Sequence, residues 1–205
     1  MEDCRDLATR SLPSTLILGH SFVRRMSDFL KKRGGNSSSR EHFDLQNTCL
    51  VKLLGNGGRT VEKLLRLDLP AIRSANPDIL ILEIGSNDLC DPSLDPETLS
   101  ETIIAFVEVL RHEIRQRFTV LCQVIPRLHP AFPAYNWRVR KLNKCLRETL
   151  SDSSVVKVWR HRGLSNPAKN IYLRDGVHLN KRGHKALYQS YRGALLYALK
   201  QIQRT

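Results

Sequence analysis

The chain has 205 residues, with 33 Lys and Arg against 20 Asp and Glu, a formal net charge of +13. That length suits one domain with a core large enough to fold without disulfides or metals. Its 41% hydrophobic content never gathers into the roughly 18 apolar residues of a membrane span.

Residues 1–13 read as an N-terminal extension and 14–205 as one domain, with no internal repeat and no long linker. Met1-Glu2-Asp3-Cys4-Arg5-Asp6 leads into no apolar stretch of the kind a secretory signal needs, so an intracellular and cytoplasmic location is expected. Thr15 to Leu18 is the first strand and ends in Gly19. Phe22 to Lys32 suits a helix with Phe22, Met26, Phe29 and Leu30 on one side. Gly34-Gly35-Asn36-Ser37-Ser38-Ser39 is a flexible surface loop. A second strand lies within Phe43 to Leu54 and stops at Gly55, Gly57 and Gly58. Thr60 to Ser74 has helical spacing, and Pro70 is expected to kink or shorten it.

Asp78 to Ile84 is apolar almost throughout, as in a strand buried on both faces. Pro96 to Gln116 is the clearest amphipathic helix, and Phe118 to Ile125 a fourth strand closed by Pro126. Trp137 to Leu150 is a basic helix. Its Val139, Leu142, Cys145, Leu146 and Leu150 face inward, which leaves most of Arg138, Arg140, Lys141, Lys144 and Arg147 outward. Val155 to Trp159 is the fifth strand. The last helix runs from Lys181 to about Gln201, with Asn180 as its N-cap. Strand and helix alternate, which argues for a parallel sheet covered by helices on both faces, with ligands bound beyond the carboxyl ends of the strands.

Cys4, Cys49, Cys90, Cys122 and Cys145 make an odd set with no Cys-x-x-Cys pair. Free, mostly buried thiols in a reducing compartment are expected. The positive charge fits nucleic acid, an anionic surface or an acidic partner, and equally a merely solubilising helix face. The basic helix carries no interleaved aromatic residues for stacking.

Four short stretches lie where a sheet-edge site should be: Gly19-His20-Ser21, Gly55-Asn56-Gly57-Gly58, Gly85-Ser86-Asn87-Asp88 and Asp175-Gly176-Val177-His178. Ser21 opens a helix, where the dipole favours developing negative charge. A serine hydroxyl needs a base, and His178 is the candidate, its tautomer set by Asp175 three residues earlier. The N–H groups of Ser21 and Gly58 and the side-chain amide of Asn87 could receive an oxyanion, although Gly57 competes with Gly58. No metal and no cofactor is called for. Each stretch alone also has a plain structural reading: helix cap, turn glycine, Asx-turn, surface turn.

Together they resemble the SGNH hydrolases, or GDSL esterases and lipases, over roughly residues 14–200. Ser21, Gly58 and Asn87 match the first three blocks, and Asp175 with His178 matches the last. The resemblance implies a flavodoxin-like three-layer α/β/α sandwich on a five-stranded parallel sheet. It also implies hydrolysis of carboxylic esters, often acetyl or acyl, through an acyl-enzyme. The usual Gly-Asp-Ser reads Gly19-His20-Ser21 here, and Gly-His-Ser-Phe-Val-Arg-Arg is similar to animal SGNH domains, including esterase domains carried by some retrotransposons.

His20 contacts substrate or stands in for the missing acid, and Arg127 orients an anionic substrate group. His184 has no assigned role. Phe132, Tyr135 and Trp137 line an acyl pocket or pack on the body of the domain. Val23 breaks a Gly-x-Ser-x-Gly elbow, and the glycines at 55–58 lack a Walker ending. The second reading is a weakly active or inactive module of this fold that binds nucleic acid or a protein through its basic surface.

Overall fold

Five short apolar runs pair into one parallel sheet in the computed structural model, which describes residues 11–33 and 38–204. Cys4, most of the N-terminal extension and positions 34–37 of the glycine-serine loop lie outside the described residues. The strands are β1 (Ser14–Gly19), β2 (Leu50–Gly55), β3 (Ile79–Glu83), β4 (Phe118–Cys122) and β5 (Val156–Trp159). The helices are α1 (Ser21–Arg33), α2 (Ser38–Glu41), α3 (Val61–Ala75), α4 (Pro96–Glu113), α5 (Tyr135–Thr149) and α6 (Lys181–Ile202). Sheet order is β2-β1-β3-β4-β5, every pair parallel, with Gly19 opposite both Gly55 and Glu83.

Alternating side chains divide the core into two layers. Ile17, Ile79, Ile81 and Val120 meet Phe22, Val23 and Met26 of α1 and Leu187, Tyr191 and Leu195 of α6. Leu16, Leu18, Leu80, Leu82 and Leu121 meet α3, α4 and α5 through Leu64, Ile103, Phe106 and Leu142. The chain therefore leaves β1 toward one face and β3 toward the other. Between those two strand ends the order reverses, which opens the crevice where such sheets bind ligands.

Some boundaries differ from the sequence reading, each for a local reason. α3 runs through Pro70 to Ala75, because Pro70 and Arg66 are exposed and water can take the carbonyl left without a partner. β4 stops at Cys122, where Asn143 of α5 takes over the backbone. Its side chain accepts from Val124 N at 2.8 Å and donates to Val124 O at 2.9 Å. One turn pair earlier on α5, Asn136 does the same for Arg127, at 2.9 and 2.7 Å. The end of the glycine-serine loop forms the short α2. Cys49 and Cys122 are buried free thiols, and Cys90 and Cys145 are free and half-buried.

The basic helix is less outward than its pattern suggests. Arg138 is buried and donates to the carbonyls of Asp91 and Leu94, capping a loop from inside. Asn180 caps α6 as its sequence predicts, accepting from Arg182 N and Gly183 N. His184 is buried on α6 and stacks on Phe29.

Candidate active site

The carboxyl end of β1 is set by crowding. A Cβ on Gly19 would stand 2.3 Å from the Glu83 carbonyl, and one on Gly55 would stand 2.2 Å from the Arg24 backbone nitrogen. Both glycines let α1 start immediately against the sheet. His20 N donates to Glu83 O at 3.3 Å, and Ser21 then opens α1. Its N–H is among the four that a helix leaves without an internal partner. Ser21 is half-buried.

Two loops meet at this end of the sheet, where Asn56 N donates to Gly19 O at 3.1 Å. Gly58 has φ +71, a backbone that side chains rarely adopt, and the space its Cβ would fill is open. Gly57 has an ordinary backbone, with only the Arg24 guanidinium near the Cβ position, at 3.8 Å. The Asn87 amide donates to Arg59 O at 2.8 Å, which joins the third block to the second and leaves its other N–H free to donate. Asp68 of α3 holds this loop from behind, binding Arg59 at 2.8 and 3.2 Å and Asn56 at 3.4 Å. Asp88 accepts from Val61 N at 2.9 Å and so ties the third block to the start of α3.

The fourth block is a tight turn. Gly176 N donates to Leu173 O at 3.0 Å and Leu173 N to His178 O at 2.8 Å, with Gly176 at φ +64. Leu128 N and His129 N both donate to Gly176 O, which fastens the turn to the segment after β4. One Asp175 oxygen accepts from Val177 N at 2.9 Å and His178 N at 2.8 Å, and the other lies 2.8 Å from His178 Nδ1. Desolvation works against the Asp175 charge, yet those donors bring its carboxyl down to about 2. The carboxylate therefore fixes the Nδ1–H tautomer and leaves Nε2 as a base. The Asp175 side chain is 45% exposed and that of His178 24%, so the site is open to solvent.

Arg127, given to substrate on sequence grounds, and His20, given either to substrate or to the place of the missing acid, are both buried. His20 is 3% exposed, and its Nδ1 accepts from Phe22 N at 3.4 Å. Burial above all takes it down to about 4; Glu83 opposes, while the charges of Arg127, His178 and His161 assist. It is neutral at pH 7. Arg127 is 8% exposed, stacks 4.4 Å above the Tyr135 ring and donates to Ser86 O, Ser86 Oγ and Cys90 Sγ. Tyr135 is fully buried and donates to the same Ser86 carbonyl at 2.9 Å, Phe132 is partly buried beside it, and Trp137 is exposed.

Sequence reasoning missed a buried polar group under this edge. Glu83 Oε2 meets His161 Nε2 at 3.0 Å and the Tyr191 hydroxyl at 2.9 Å, and His161 Nδ1 meets Ser190 Oγ at 2.8 Å. Desolvation opposes its charge, but His161, then His20 and Tyr191, hold the Glu83 carboxyl below the usual range. Its one signal in sequence is an acid closing an otherwise apolar strand. Glu83, Cys122 and His161 are also the described side chains whose donor atoms gather within 4.8 Å, a metal-ligand set by type. Their hydrogen bonds to one another use the same atoms, and burial and Glu83 push the Cys122 thiol well up, away from a thiolate.

Residues 17–186 match the GDSL-like lipase/acylhydrolase family. No curated protein matches the chain in sequence. Among solved structures, a mutant acetyl esterase with an acetate ion is 12% identical, with 93% of this chain and 100% of that one covered and a TM-score of 0.68. A carbohydrate esterase of family 3 from Talaromyces cellulolyticus is 13% identical over 92% and 99%, with a TM-score of 0.68. A GDSL-like lipase from Bacteroides thetaiotaomicron is 17% identical over 91% and 89%, with a TM-score of 0.63. At these identities the likeness speaks for the fold. No helix of the described residues is long and apolar enough to cross a membrane.

Proposed function

Since the chain belongs to the GDSL-like lipase/acylhydrolase family and is a carboxylic ester hydrolase, we propose that its domain, residues 14–205, cleaves short acyl esters through Ser21, His178 and Asp175. Ser21 Oγ attacks the ester carbonyl while His178 Nε2 takes its proton. The carbonyl oxygen becomes an oxyanion, received by the N–H groups of Ser21 and Gly58 and the Asn87 amide. Collapse of that intermediate breaks the bond to the alcohol oxygen, which leaves with the proton from His178. Water then repeats the sequence on the acyl-Ser21, giving the carboxylic acid and the free enzyme.

The observation that carries this reading is the Asp175 carboxylate, which fixes both the turn and the Nδ1 side of His178 with three bonds of 2.8–2.9 Å. Two further points support it: the charge of His178 acts on His20, the neighbour of Ser21, and Asn87 bonds to the loop that contains Gly58. His20 and Arg127 then serve from beneath the site rather than on substrate, with Arg127 holding the Ser86 carbonyl one peptide before Asn87. Acetyl or other short acyl groups suit the open setting of His178 and the acetyl esterases among the structural neighbours.

The test is hydrolysis of p-nitrophenyl acetate, butyrate and octanoate by the wild-type protein beside Ser21→Ala at pH 7 to 8. Saturable turnover, fastest on acetate and absent in the variant, is expected. Equal slow rates in both proteins would overturn the assignment of Ser21.

A further inference from the structure

The site uses little of the net charge of +13. On α5, where the sequence is most basic, much of the charge is spoken for. Arg138 is buried, Lys141 pairs with Glu97 at 2.6 Å, and Lys144 lies 3.8 Å from Glu148. A different cluster carries its cations without acids. A groove of about 630 Å³ runs between β5 and α6, lined by Lys157, Trp159, Arg160 and Arg162 and, across from them, Gln189 and Gly193. No carboxylate lines it, and none of Ser21, Gly58, Asn87, Asp175 or His178 does.

Its walls are built for an aromatic face. Glycine inside a helix costs about 1 kcal/mol against alanine, yet Gly193 sits in the middle of α6. A Cβ there would come within 3.1 Å of the Trp159 ring. Trp159 Nε1 is held by Ser190 Oγ at 3.0 Å, and Tyr197 lies against the indole with ring centres 6.0 Å apart. Lys157 Nζ stands 5.9 Å from the Tyr197 ring centre. β5 is also the outer strand of the sheet. Val155 O and Trp159 O take their bonds from β4, so Val156 and Val158 turn their amide groups outward; Val156 N donates to Ser153 Oγ at 3.0 Å, and no strand of the described residues pairs with Val158.

We propose that this groove binds a single-stranded polynucleotide. Three cations free of acids follow a phosphate backbone, the half-buried Trp159 of the lining offers a stacking face, and the open backbone groups of Val158 can bond base edges. Those are the parts from which strand-binding grooves are made. A duplex hides its base faces, and an acidic peptide would leave the indole of Trp159 without a use.

The test titrates the full chain with a fluorescein-labelled oligouridine of about 20 nucleotides over a range of salt concentrations. Neutralising three phosphates of a single strand gives log K a slope of about −2 against log salt. Reversing all three charges (Lys157→Glu, Arg160→Glu, Arg162→Glu) is expected to weaken binding about tenfold or more and flatten that slope. The control Lys144→Glu with Arg147→Glu on α5 should change binding far less, and unchanged thermal unfolding midpoints verify that both variants fold. The chain has two tryptophans, so Trp137→Phe leaves Trp159 as sole emitter, and the oligouridine should quench it in an otherwise unaltered groove. Equal binding by the triple variant, an unquenched Trp159, or tighter binding to duplex or to poly-glutamate would each overturn the proposal.

Discussion

His20 makes the stability of the fold depend on pH in a calculable window. In the unfolded chain an imidazole titrates near 6.5, while burial in the native protein brings His20 down to about 4. Between those values the unfolded chain takes up a proton that the native one refuses, so stability rises with pH across the window. The contribution is fully present above 6.5 and is lost as pH falls from there through about 4. At roughly 1.4 kcal/mol per pH unit, the whole displacement amounts to about 3 kcal/mol. His20→Asn keeps a neutral polar side chain and removes the titration. Urea unfolding at pH 4, 5, 6 and 7 should show the wild type losing about 3 kcal/mol more than His20→Asn over that range. His184, also depressed chiefly by burial, contributes to both proteins and cancels in the comparison. Parallel curves would refute the reasoning, because they would mean that His20 charges as easily in the native state as in water.

Two further substitutions probe the machinery from behind. Asp175→Asn keeps an oxygen for the N–H groups of Val177 and His178 but turns an amide toward Nδ1, favouring the wrong tautomer. A fall in kcat of about 10²–10⁴ is expected on p-nitrophenyl acetate, with KM little changed; the buried version of this change reaches about 10⁴, and exposure of Asp175 softens it. Asp68→Asn removes a buried charge that holds Arg59 and Asn56. It should cost about 1–3 kcal/mol in urea unfolding, and kcat should fall through the loosened Arg59 carbonyl that positions Asn87, while an unchanged kcat would detach Asp68 from the site.

The sequence was legible wherever one local rule decided the outcome. β1, β3 and β4 stand out because they are buried almost throughout and so are mostly apolar, and Asn180 caps α6 by the ordinary preference for a side-chain acceptor. The turn of Asp175 to His178 is similarly local, three residues bonding among themselves. What stayed hidden depends on partners distant in sequence. Nothing near Asn143 or Asn136 reveals that they replace a strand for Val124 and Arg127. Nothing near Arg138 reveals that it turns inward to Asp91. Arg127 follows a strand end, as a substrate-binding cation would, and nothing near it in sequence reveals its contacts with Ser86 and Tyr135, 41 and 8 positions away in the chain.

The departure at His20 from the acid usual before the nucleophile has a physical account in Glu83. The charge of Glu83 acts on the residue 20 ring, and His161 keeps that carboxyl ionised with almost no exposure to water. An aspartate at position 20 would place a second buried carboxylate within its reach, and two such groups resist joint ionisation. A double-mutant cycle isolates this term. His20→Asp alone should destabilise at pH 7 by repulsion, and Glu83→Gln alone should do so by leaving His161 and Tyr191 with a poorer partner. If repulsion is what excludes the acid, the double variant loses less than the sum of the two by about 1–3 kcal/mol. Additivity to within about 0.5 kcal/mol would show that residue 20 is chosen for its shape against Phe22 and not for its neutrality.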